Sequence, residues 1–434
     1  MKYYSTSNKN HQVNLKEAVF KGLALDKGLY MPQSIPVLPK EFFANIKKLS
    51  FRELSFEIAS ALFHTDIPLN ELKKINDEAL DFETPLVNVH DSVYSLELFH
   101  GPTLAFKDVG ARYMARMLAY FTRGYQSEIH VLVATSGDTG SAVANGFLGV
   151  PGIKVHILYP KGLVSYLQEK QFTTLGQNIT ALEVEGSFDD CQRLVKEAFV
   201  DAEVNSKLTL TSANSINLAR LLPQSFYYFN AFRQLQENYG KLAFSVPSGN
   251  FGNITSGLIA KKMGLPVDQY IATTNINDVV PEYLRTGKYT ARPSMATVAN
   301  AMDVGDPSNF TRILDLYGNS HKAIANDILG YSYNDTEIKR CISEVSKKHK
   351  YLTDPHGATA YMGLSQFLLE NKGYTGIFLE TAHPAKFSKT VEESLGHTIE
   401  IPEKLAEFGK KEKVSLEMAA DYLAFREYLM GLNS

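Results

Sequence analysis

The chain has 434 residues, of which 44% are hydrophobic and 21% charged, and its net charge is -3. These values are ordinary for a globular protein of two or three domains, and without a basic stripe they argue against a nucleic-acid partner. No apolar run is long enough to cross a membrane and the first residues lack the apolar core of a signal peptide, so we expect a cytoplasmic protein. Cys191 and Cys341 fit a reducing compartment and lack metal-like spacing, so we expect no metal site.

The first part of the chain has mainly the patterns of helices and loops. Apolar residues recur at helical spacing over residues 15–23, 51–63 and 69–80. A glycine at position 22 predicts the end of the first of these helices. We therefore expect a mainly helical N-terminal region over residues 1–83.

From about residue 93 onward, strand patterns alternate with helix patterns. The predicted strands are 93–98, 129–134, 155–159, 179–184, 208–211, 242–246, 270–274 and 377–381. The predicted helices are 109–118, 140–147, 165–175, 189–200, 216–235, 254–263, 337–348, 358–369 and 384–395. Such alternation predicts parallel sheets covered by helices on both faces. Because there are too many units for one small sheet, we expect two α/β domains with a cleft between them.

One lysine lies where the first of these strands meets a helix. Lys107 follows the Gly101-Pro102 break and precedes a helical pattern, so it lies beside a helix N-terminus. That end of the helix dipole is positive, and partial burial also favours the neutral amine. A neutral amine can form a Schiff base with a carbonyl. The alternative is an ordinary lysine whose stem packs under Phe106 while its head reaches water.

Three loops follow strands at the edge where open α/β sheets bind ligands. Residues 134–141 and 246–255 are rich in glycine and small polar residues, and such loops bind anions through backbone N–H groups at a helix N-terminus. Either loop is also compatible with an ordinary tight turn. The second lacks the Walker pattern, which favours a phosphate monoester on a small cofactor over a nucleotide. The third loop, 380–387, contains Thr381 and His383, and the histidine is a candidate base, cap or surface residue.

A reactive lysine, a phosphate loop and a two-domain cleft together suggest pyridoxal 5'-phosphate (PLP). Residues 99–108, 135–140, 248–253 and 381–387 resemble the motifs of the threonine synthase family, which are PLP enzymes of fold type II. The resemblance extends to the segments 22–30, 212–217 and 306–310, and so covers nearly the whole chain.

This resemblance implies roles for individual residues. Lys107 would form the Schiff base with PLP and move protons, and Thr381 would hydrogen-bond the pyridine nitrogen. The PLP phosphate would be bound by Gly249, Asn250, Phe251, Gly252 and Asn253. The substrate carboxylate would be bound by Ser136, Gly137, Asp138 and Thr139. An ionised Asp138 cannot donate the hydrogen bond that asparagine supplies in many fold-type II relatives, so its role stays open.

The resemblance also implies a domain division and a reaction. The expected parts are the N-terminal region 1–83, a large PLP-binding α/β domain (84–106 and 203–400), a small α/β domain (107–202) and a tail (401–434). The implied reaction converts O-phospho-L-homoserine and water to L-threonine and phosphate. Lys161 and Arg112 are candidates for holding the substrate phosphate. The oligomeric state, monomer or dimer, stays open.

Two other functions are compatible with parts of the pattern. A lyase or dehydratase of the same fold would begin in the same way but release a keto acid. A non-enzymatic sensor of a phosphate ligand would keep the loop 248–253 and would need no amine at position 107.

Overall fold

A computed structural model describes residues 1–125 and 127–432 of the chain. In chain order, the strands are β1 (Tyr3–Ser5), β2 (Gln12–Val13), β3 (Tyr30–Pro32), β4 (Leu86–His90), β5 (Val93–Glu97), β6 (Ile129–Ala134), β7 (Ile153–Pro160), β8 (Ile179–Glu185), β9 (Thr209–Ser212), β10 (Lys241–Pro247), β11 (Gln269–Thr274), β12 (Ile328–Ser332), β13 (Tyr374–Glu380) and β14 (Leu416–Ala419). The α-helices are α1 (Leu15–Lys21), α2 (Lys40–Asn45), α3 (Phe51–Phe63), α4 (Leu69–Ala79), α5 (Lys107–Phe121), α6 (Asp138–Phe147), α7 (Tyr166–Thr173), α8 (Phe188–Val200), α9 (Ala202–Lys207), α10 (Leu218–Leu221), α11 (Phe226–Gln234), α12 (Gly252–Lys262), α13 (Val279–Thr286), α14 (Phe310–Leu316), α15 (His321–Asp327), α16 (Asp335–His349), α17 (Pro355–Glu370), α18 (Ser388–Leu395), α19 (Glu403–Gly409) and α20 (Tyr422–Gly431). A helix with the length and apolar character needed to cross a membrane is not found among these described residues.

The N-terminal region combines helices α1 to α4 with a small antiparallel sheet in the order β2-β1-β3. Helix α3 has the bounds predicted from its apolar spacing. It begins at a capping box in which Ser50 and Glu53 each satisfy the other's backbone N–H. Helix α1 ends at Gly22, whose φ of 64° suits glycine better than other residues. The mainly helical character of this region agrees with the sequence pattern.

The larger of the two main sheets joins six described strands in the order β12-β11-β10-β13-β5-β4. Its neighbouring strands are parallel except β4 and β5, which form an antiparallel pair at the edge. The register pairs Glu97 at the end of β5 with Glu380 at the end of β13. The loops that follow β5, β10 and β13 therefore emerge at one edge of this sheet, as expected for parallel strands.

The second main sheet is parallel throughout and has the order β14-β8-β7-β6-β9. Two of its strands lie outside the expected domain of residues 107–202. Strand β9 pairs with β6 through the register Ile129↔Thr209, and β14 of the tail pairs with β8. Phe425 and Leu429 of α20 are buried in the apolar cluster on this sheet. The expected boundaries at 202 and 401 are therefore wrong for these strands, because pairing between distant segments carries no local sequence signal.

The helix predicted over residues 216–235 is also divided. It consists of α10, a 3-10 turn (Leu222–Ser225) and α11. Pro223 lies in that turn, where it cannot donate a backbone hydrogen bond to the preceding turn of an α-helix. Arg220 of α10 and Tyr227 of α11, on either side of this turn, are both buried. This block packs against α12, the helix that follows the glycine-rich loop.

Buried apolar side chains of the N-terminal helices and of both main sheets form one continuous core, which includes Leu54, Met114, Val131 and Phe244. Helix α5 lies inside it. Lys107, the first residue of α5, is therefore attached to a rigid framework at the point where the two sheets meet.

Candidate active site

Lys107 is held by hydrogen bonds on both sides of the start of α5. The Phe106 N–H donates to the Thr381 carbonyl oxygen at 2.8 Å, which joins the lysine segment to the end of β13. On the other side, the Asp108 carboxylate accepts from the Thr103 N–H at 2.9 Å and from the Thr103 hydroxyl at 2.6 Å. These contacts position Lys107 at the strand-to-helix junction predicted from the sequence.

The environment of Lys107 favours a neutral amine. Burial lowers the pKa of Lys107 to about 8 from its ordinary value of 10.5, although the Asp138 carboxylate acts in the opposite direction. The cations of Lys386 and Arg220 add to the lowering. A lysine with this pKa is about one-tenth neutral at pH 7, far more than an ordinary lysine, and the neutral amine is the form that attacks a carbonyl.

Asp138 forms the centre of a buried polar cluster beside Lys107. Its Oδ1 lies 2.7 Å from Lys386 Nζ and accepts from Gln168 Nε2 at 2.8 Å, while its Oδ2 lies 3.9 Å from Lys107 Nζ. Burial acts to raise the pKa of Asp138, but the two ammonium groups outweigh it and hold that pKa well below its usual range. Lys386 also donates to the Thr103 carbonyl oxygen at 2.8 Å, so the cluster connects the motif 99–108 to the motif 381–387.

The glycine-rich loop connects β10 to the N-terminus of α12. Phe251 caps this helix with a left-handed φ of 58°. A Cβ on Gly249 would lie 2.9 Å from the Met302 Cα and even closer to the Ala301 carbonyl oxygen, so the loop needs glycine there. Asn253 accepts at Oδ1 from the hydroxyls of Tyr227 and Tyr228. The loop and the start of α12 line the cavity. Because the first N–H groups of a helix have no partner within it, this is the arrangement expected of an anion site.

A cavity of about 120 Å³ brings together predicted residues of all four motifs, 99–108, 135–140, 248–253 and 381–387. The predicted residues in its wall are Lys107, Ser136, Thr139, Gly249, Asn250, Phe251, Gly252, Asn253 and Thr381. Gly137 and Asp138 are not part of this wall. They lie behind it, where the Asp138 carboxylate pairs with Lys386 and accepts a hydrogen bond from Gln168.

The structure assigns structural contacts to three residues that the sequence left open. Arg112 donates to the carbonyl oxygens of residues 78 and 79 and pairs with Asp81 at 2.8 Å, away from the cavity. Lys161 is on the surface, where it pairs with Glu185 and Glu417. Neither candidate for the substrate phosphate therefore lies in the wall of the cavity. His383 caps the turn after it by accepting from the Ala385 N–H at 3.1 Å, and burial lowers its pKa to about 4.

Arg220 is the cation that sequence reasoning missed. Its side chain is buried, lines the cavity, and forms no salt bridge with any residue in the described ranges. Its Nη1 donates to the Ala213 carbonyl oxygen, while its Nε has no hydrogen-bond partner. Burial lowers the pKa of Arg220 to about 10, at which it stays charged at neutral pH. The only sequence signal is its position three residues after the segment 212–217, within an apolar helix.

His356 and Asp354 were also missed. His356 lines the cavity, and its Nδ1 lies 2.6 Å from the buried carboxylate of Asp354. The sequence Asp354-Pro355-His356 predicts no more than a helix start, with an N-cap aspartate and a proline in the first turn.

The residues of the cavity fit a phosphorylated aromatic aldehyde. One buried donor of the glycine loop and helix start, Asn253 Nδ2, has no partner among the described residues. Gly249 of the same loop has no room for a side chain, because a Cβ there would meet the backbone of residues 301 and 302. Lys107 supplies an amine of lowered pKa for the aldehyde. A phosphate at the start of α12 would meet unpaired donors and a helix N-terminus, as PLP binding requires.

Comparisons with known proteins agree with this arrangement. A family model described as "Pyridoxal-phosphate dependent enzyme" matches residues 79–376, and models for the threonine synthase N terminus and C-terminal region match residues 2–80 and 358–429. The threonine synthase of Escherichia coli strain K12 is 45% identical over 432 residues, covering 99% of this chain and 100% of the relative.

Two solved structures are similar over the whole length. The crystal structure of threonine synthase from Escherichia coli has a TM-score of 0.93 and 44% identity, with 100% of both chains covered. The structure of PLP-bound threonine synthase from Brucella melitensis has a TM-score of 0.92 and 33% identity, with 99% of both chains covered. The chain therefore belongs to the threonine synthase family of pyridoxal-phosphate-dependent enzymes.

Proposed function

We propose that this protein uses PLP to convert O-phospho-L-homoserine and water to L-threonine and phosphate, the last step of threonine biosynthesis. The observation that carries the proposal is the cavity in which a lysine of lowered pKa, a glycine-rich helix start and an unpaired buried arginine meet. Family membership supports the same reaction.

PLP would have three points of attachment in this cavity. Lys107 would bind its aldehyde carbon, residues 249–253 would bind its phosphate through the start of α12, and the Thr381 hydroxyl would meet its pyridine nitrogen. Thr381 suits this role because it follows the last residue of β13 and lines the cavity. When bound, PLP acts as an electron sink for the substrate.

The reaction needs protons to move at three carbon atoms. The protons at Cα and Cβ of the substrate leave, the Cγ–O bond to phosphate breaks, and a water oxygen bonds to Cβ, after which protons return to Cα and Cγ. We assign the proton at Cα to the amine of Lys107, because its lowered pKa lets it both accept and return a proton near neutral pH.

The substrate itself carries two anionic groups. Ser136 and Thr139 line the cavity where its carboxylate would bind, while Gly137 and Asp138 support that loop from behind. For the substrate phosphate we propose Arg220, because it is a buried cation in the cavity wall that forms no salt bridge among the described residues. The Asp108 carboxylate acts on it only at longer range, so a phosphate would supply a counter-charge in direct contact and accept from the free Nε–H.

We also propose a cytoplasmic location, in keeping with two free and buried cysteines, Cys191 and Cys341. Whether the protein is a monomer or a dimer stays a prediction, to be settled by sedimentation.

The test of the function is product identification. The purified protein, loaded with PLP, is incubated with O-phospho-L-homoserine, and the products are identified by NMR and mass spectrometry. We expect L-threonine and phosphate in equal amounts. A keto acid in place of threonine would make the protein a lyase, and an unchanged substrate would contradict the proposal altogether.

A second measurement tests Arg220. An Arg220→Gln variant should bind PLP with the parent's absorbance spectrum but should raise the KM for O-phospho-L-homoserine by about tenfold or more, since it loses a charge-assisted bond to phosphate. An unchanged KM in a folded variant would contradict this assignment.

A further inference from the structure

Asp354 uses both oxygens of a buried carboxylate. It is the N-cap of α17, where its Oδ1 accepts from the backbone N–H groups of His356 and Gly357. The same Oδ1 accepts from His356 Nδ1 at 2.6 Å, and its Oδ2 accepts from the Ala382 N–H at 3.1 Å. An N-cap needs only one acceptor atom, so the contacts of Asp354 exceed what capping requires.

The Oδ2 atom of this carboxylate holds the residues that follow β13, through its hydrogen bond from the Ala382 N–H. Ala382 directly follows Thr381, and the Thr381 carbonyl oxygen accepts from the Phe106 N–H beside Lys107. The peptide group that joins Thr381 to Ala382 is therefore held at both its carbonyl oxygen and its N–H. With this peptide group fixed, the Thr381 side chain has a defined place in the cavity wall.

The Oδ1 atom is connected through His356 to the opposite wall of the cavity, which contains Ala301. Because His356 Nε2 accepts from the Ala301 N–H at 3.2 Å, its proton is on Nδ1, which donates to Asp354. Ala301 belongs to the 3-10 turn (Asn300–Met302) that packs directly on Gly249 of the glycine loop. The imidazole thus connects Asp354 to the segment that covers the proposed phosphate site.

The buried neighbour Glu380 does not compete with Asp354 for charge. Burial, with the nearby Asp354 carboxylate, raises the pKa of Glu380 well above its usual range and so favours its neutral form. Its Oε1 accepts from the Asp354 N–H. The donors gather instead around the Asp354 carboxylate, which accepts from three backbone N–H groups and an imidazole.

We propose that Asp354 is a positioning residue that fixes two walls of the cofactor site at once, the Thr381 turn through Ala382 and the cover of the glycine loop through His356. This inference rests on the proposed function, since it concerns the geometry with which PLP is held. Positioning groups of this kind matter because a site must hold its ligand within a fraction of an ångström.

The alternative is that Asp354 only caps α17, and one substitution separates the two roles. Asparagine caps a helix as well as aspartate does. Its amide, however, has only one acceptor atom. The oxygen of Asp354→Asn can accept either from the helix start and His356 Nδ1 or from the Ala382 N–H, but it cannot accept from both sets of donors. Capping alone predicts that this variant behaves as the parent, whereas positioning predicts a defect at the cofactor.

The experiment measures PLP binding without turnover. Apoprotein is titrated with PLP, followed by absorbance and by visible circular dichroism, which reports the orientation of the bound ring. We expect Asp354→Asn to raise the dissociation constant of PLP by about tenfold or more and to change the dichroic band. Asp421→Asn, a substitution at the N-cap of α20, is the matched control and should change neither. Glu380→Gln should also keep the affinity within about twofold, because a neutral amide replaces a neutral acid.

Parent-like affinity and dichroism in a folded Asp354→Asn variant would overturn the inference and leave the capping role. If that variant does not fold, His356→Phe decides the matter, since it keeps a ring against Phe387 but removes the hydrogen bond from the Ala301 N–H. Weaker PLP binding by His356→Phe supports the inference, and unchanged binding overturns it. Failure of the proposed function is distinguishable, because it would appear in the parent, as PLP binding without threonine formation.

Discussion

Asp138 Oδ2 lies 3.9 Å from Lys107 Nζ, while Asp138 Oδ1 lies 2.7 Å from Lys386 Nζ. One buried carboxylate therefore balances two ammonium groups, and it does so unequally. Lys386 has the short contact and a second acceptor in the Thr103 carbonyl oxygen, so it is the structural cation. Within the described part of the chain, Lys107 has no ion pair besides the long contact to Asp138, and its pKa is lowered, which leaves it available for chemistry.

Covalent attachment of PLP should depend on the ionisation of Lys107. Its pKa of about 8 is lowered chiefly by burial, so the amine is mostly protonated below that pH and mostly neutral above it. We expect the rate at which apoprotein binds PLP covalently to rise with pH and to level off above about pH 8. Stopped-flow absorbance measures the rate, and borohydride reduction followed by peptide mapping should place the label on Lys107.

The same experiment has a clear contrary outcome. A rate that levels off only above pH 10 would indicate an unperturbed lysine, and a label on Lys386 or any other lysine would remove Lys107 from its proposed role.

Removing the shared carboxylate should destabilise the protein. Asp138→Asn leaves the fully buried ammonium of Lys386 without its ion-pair partner, and breaking a buried pair in this way costs about 3 to 5 kcal/mol. We expect a clearly lower melting temperature for this variant. The double variant with Lys386→Met removes the stranded charge and should regain part of the loss. Calorimetry of the parent, the two single variants and the double variant gives the coupling free energy between Asp138 and Lys386. An Asp138→Asn variant with the parent's melting temperature would contradict the account of a buried ion pair.

A single methyl group at Gly249 should block the phosphate loop. Its Cβ would meet backbone atoms of Ala301 and Met302, which cannot move aside as a flexible side chain does. We expect Gly249→Ala to weaken PLP binding by more than about tenfold. Gly409→Ala is the control, because the added Cβ there comes no closer than 3.8 Å to the atoms of Leu167 and Tyr166. Equal PLP affinity in the two variants, measured by titration of the apoproteins, would argue against a cofactor phosphate at this loop.

The hydroxyl of Thr381 can be removed with little change of shape. If it meets the pyridine nitrogen, Thr381→Val should alter the absorbance spectrum of bound PLP and lower threonine formation by about tenfold or more. Thr381→Ser keeps the hydroxyl and should retain most of the parent's turnover. Spectra and steady-state rates of both variants give the comparison, and a valine variant as active as the serine variant would show that the hydroxyl is dispensable.

Much of the site was predictable because its motifs are local and because parallel sheets obey a simple rule. Lys107, the glycine loop and Thr381 each follow a strand of one sheet, and the carboxyl ends of parallel strands lie at one edge. The sequence therefore determined which segments meet, the type of fold and, through the resemblance of its motifs, the family.

The tertiary structure alone decided which charges belong to the site. No distinctive local pattern marks the three charged residues that the fold brings to the site. They are Arg220 in an apolar helix, Lys386 beside Asp138, and Asp354 at a helix start. Arg112 and Lys161 were the candidates from the sequence, and only the fold shows their carbonyl and carboxylate partners. Strands β9 and β14 joined a sheet that their position in the chain did not indicate. The physical reason is the same in each case, since burial and pairing depend on groups that are distant in the chain, and only the folded chain brings them within a few ångströms.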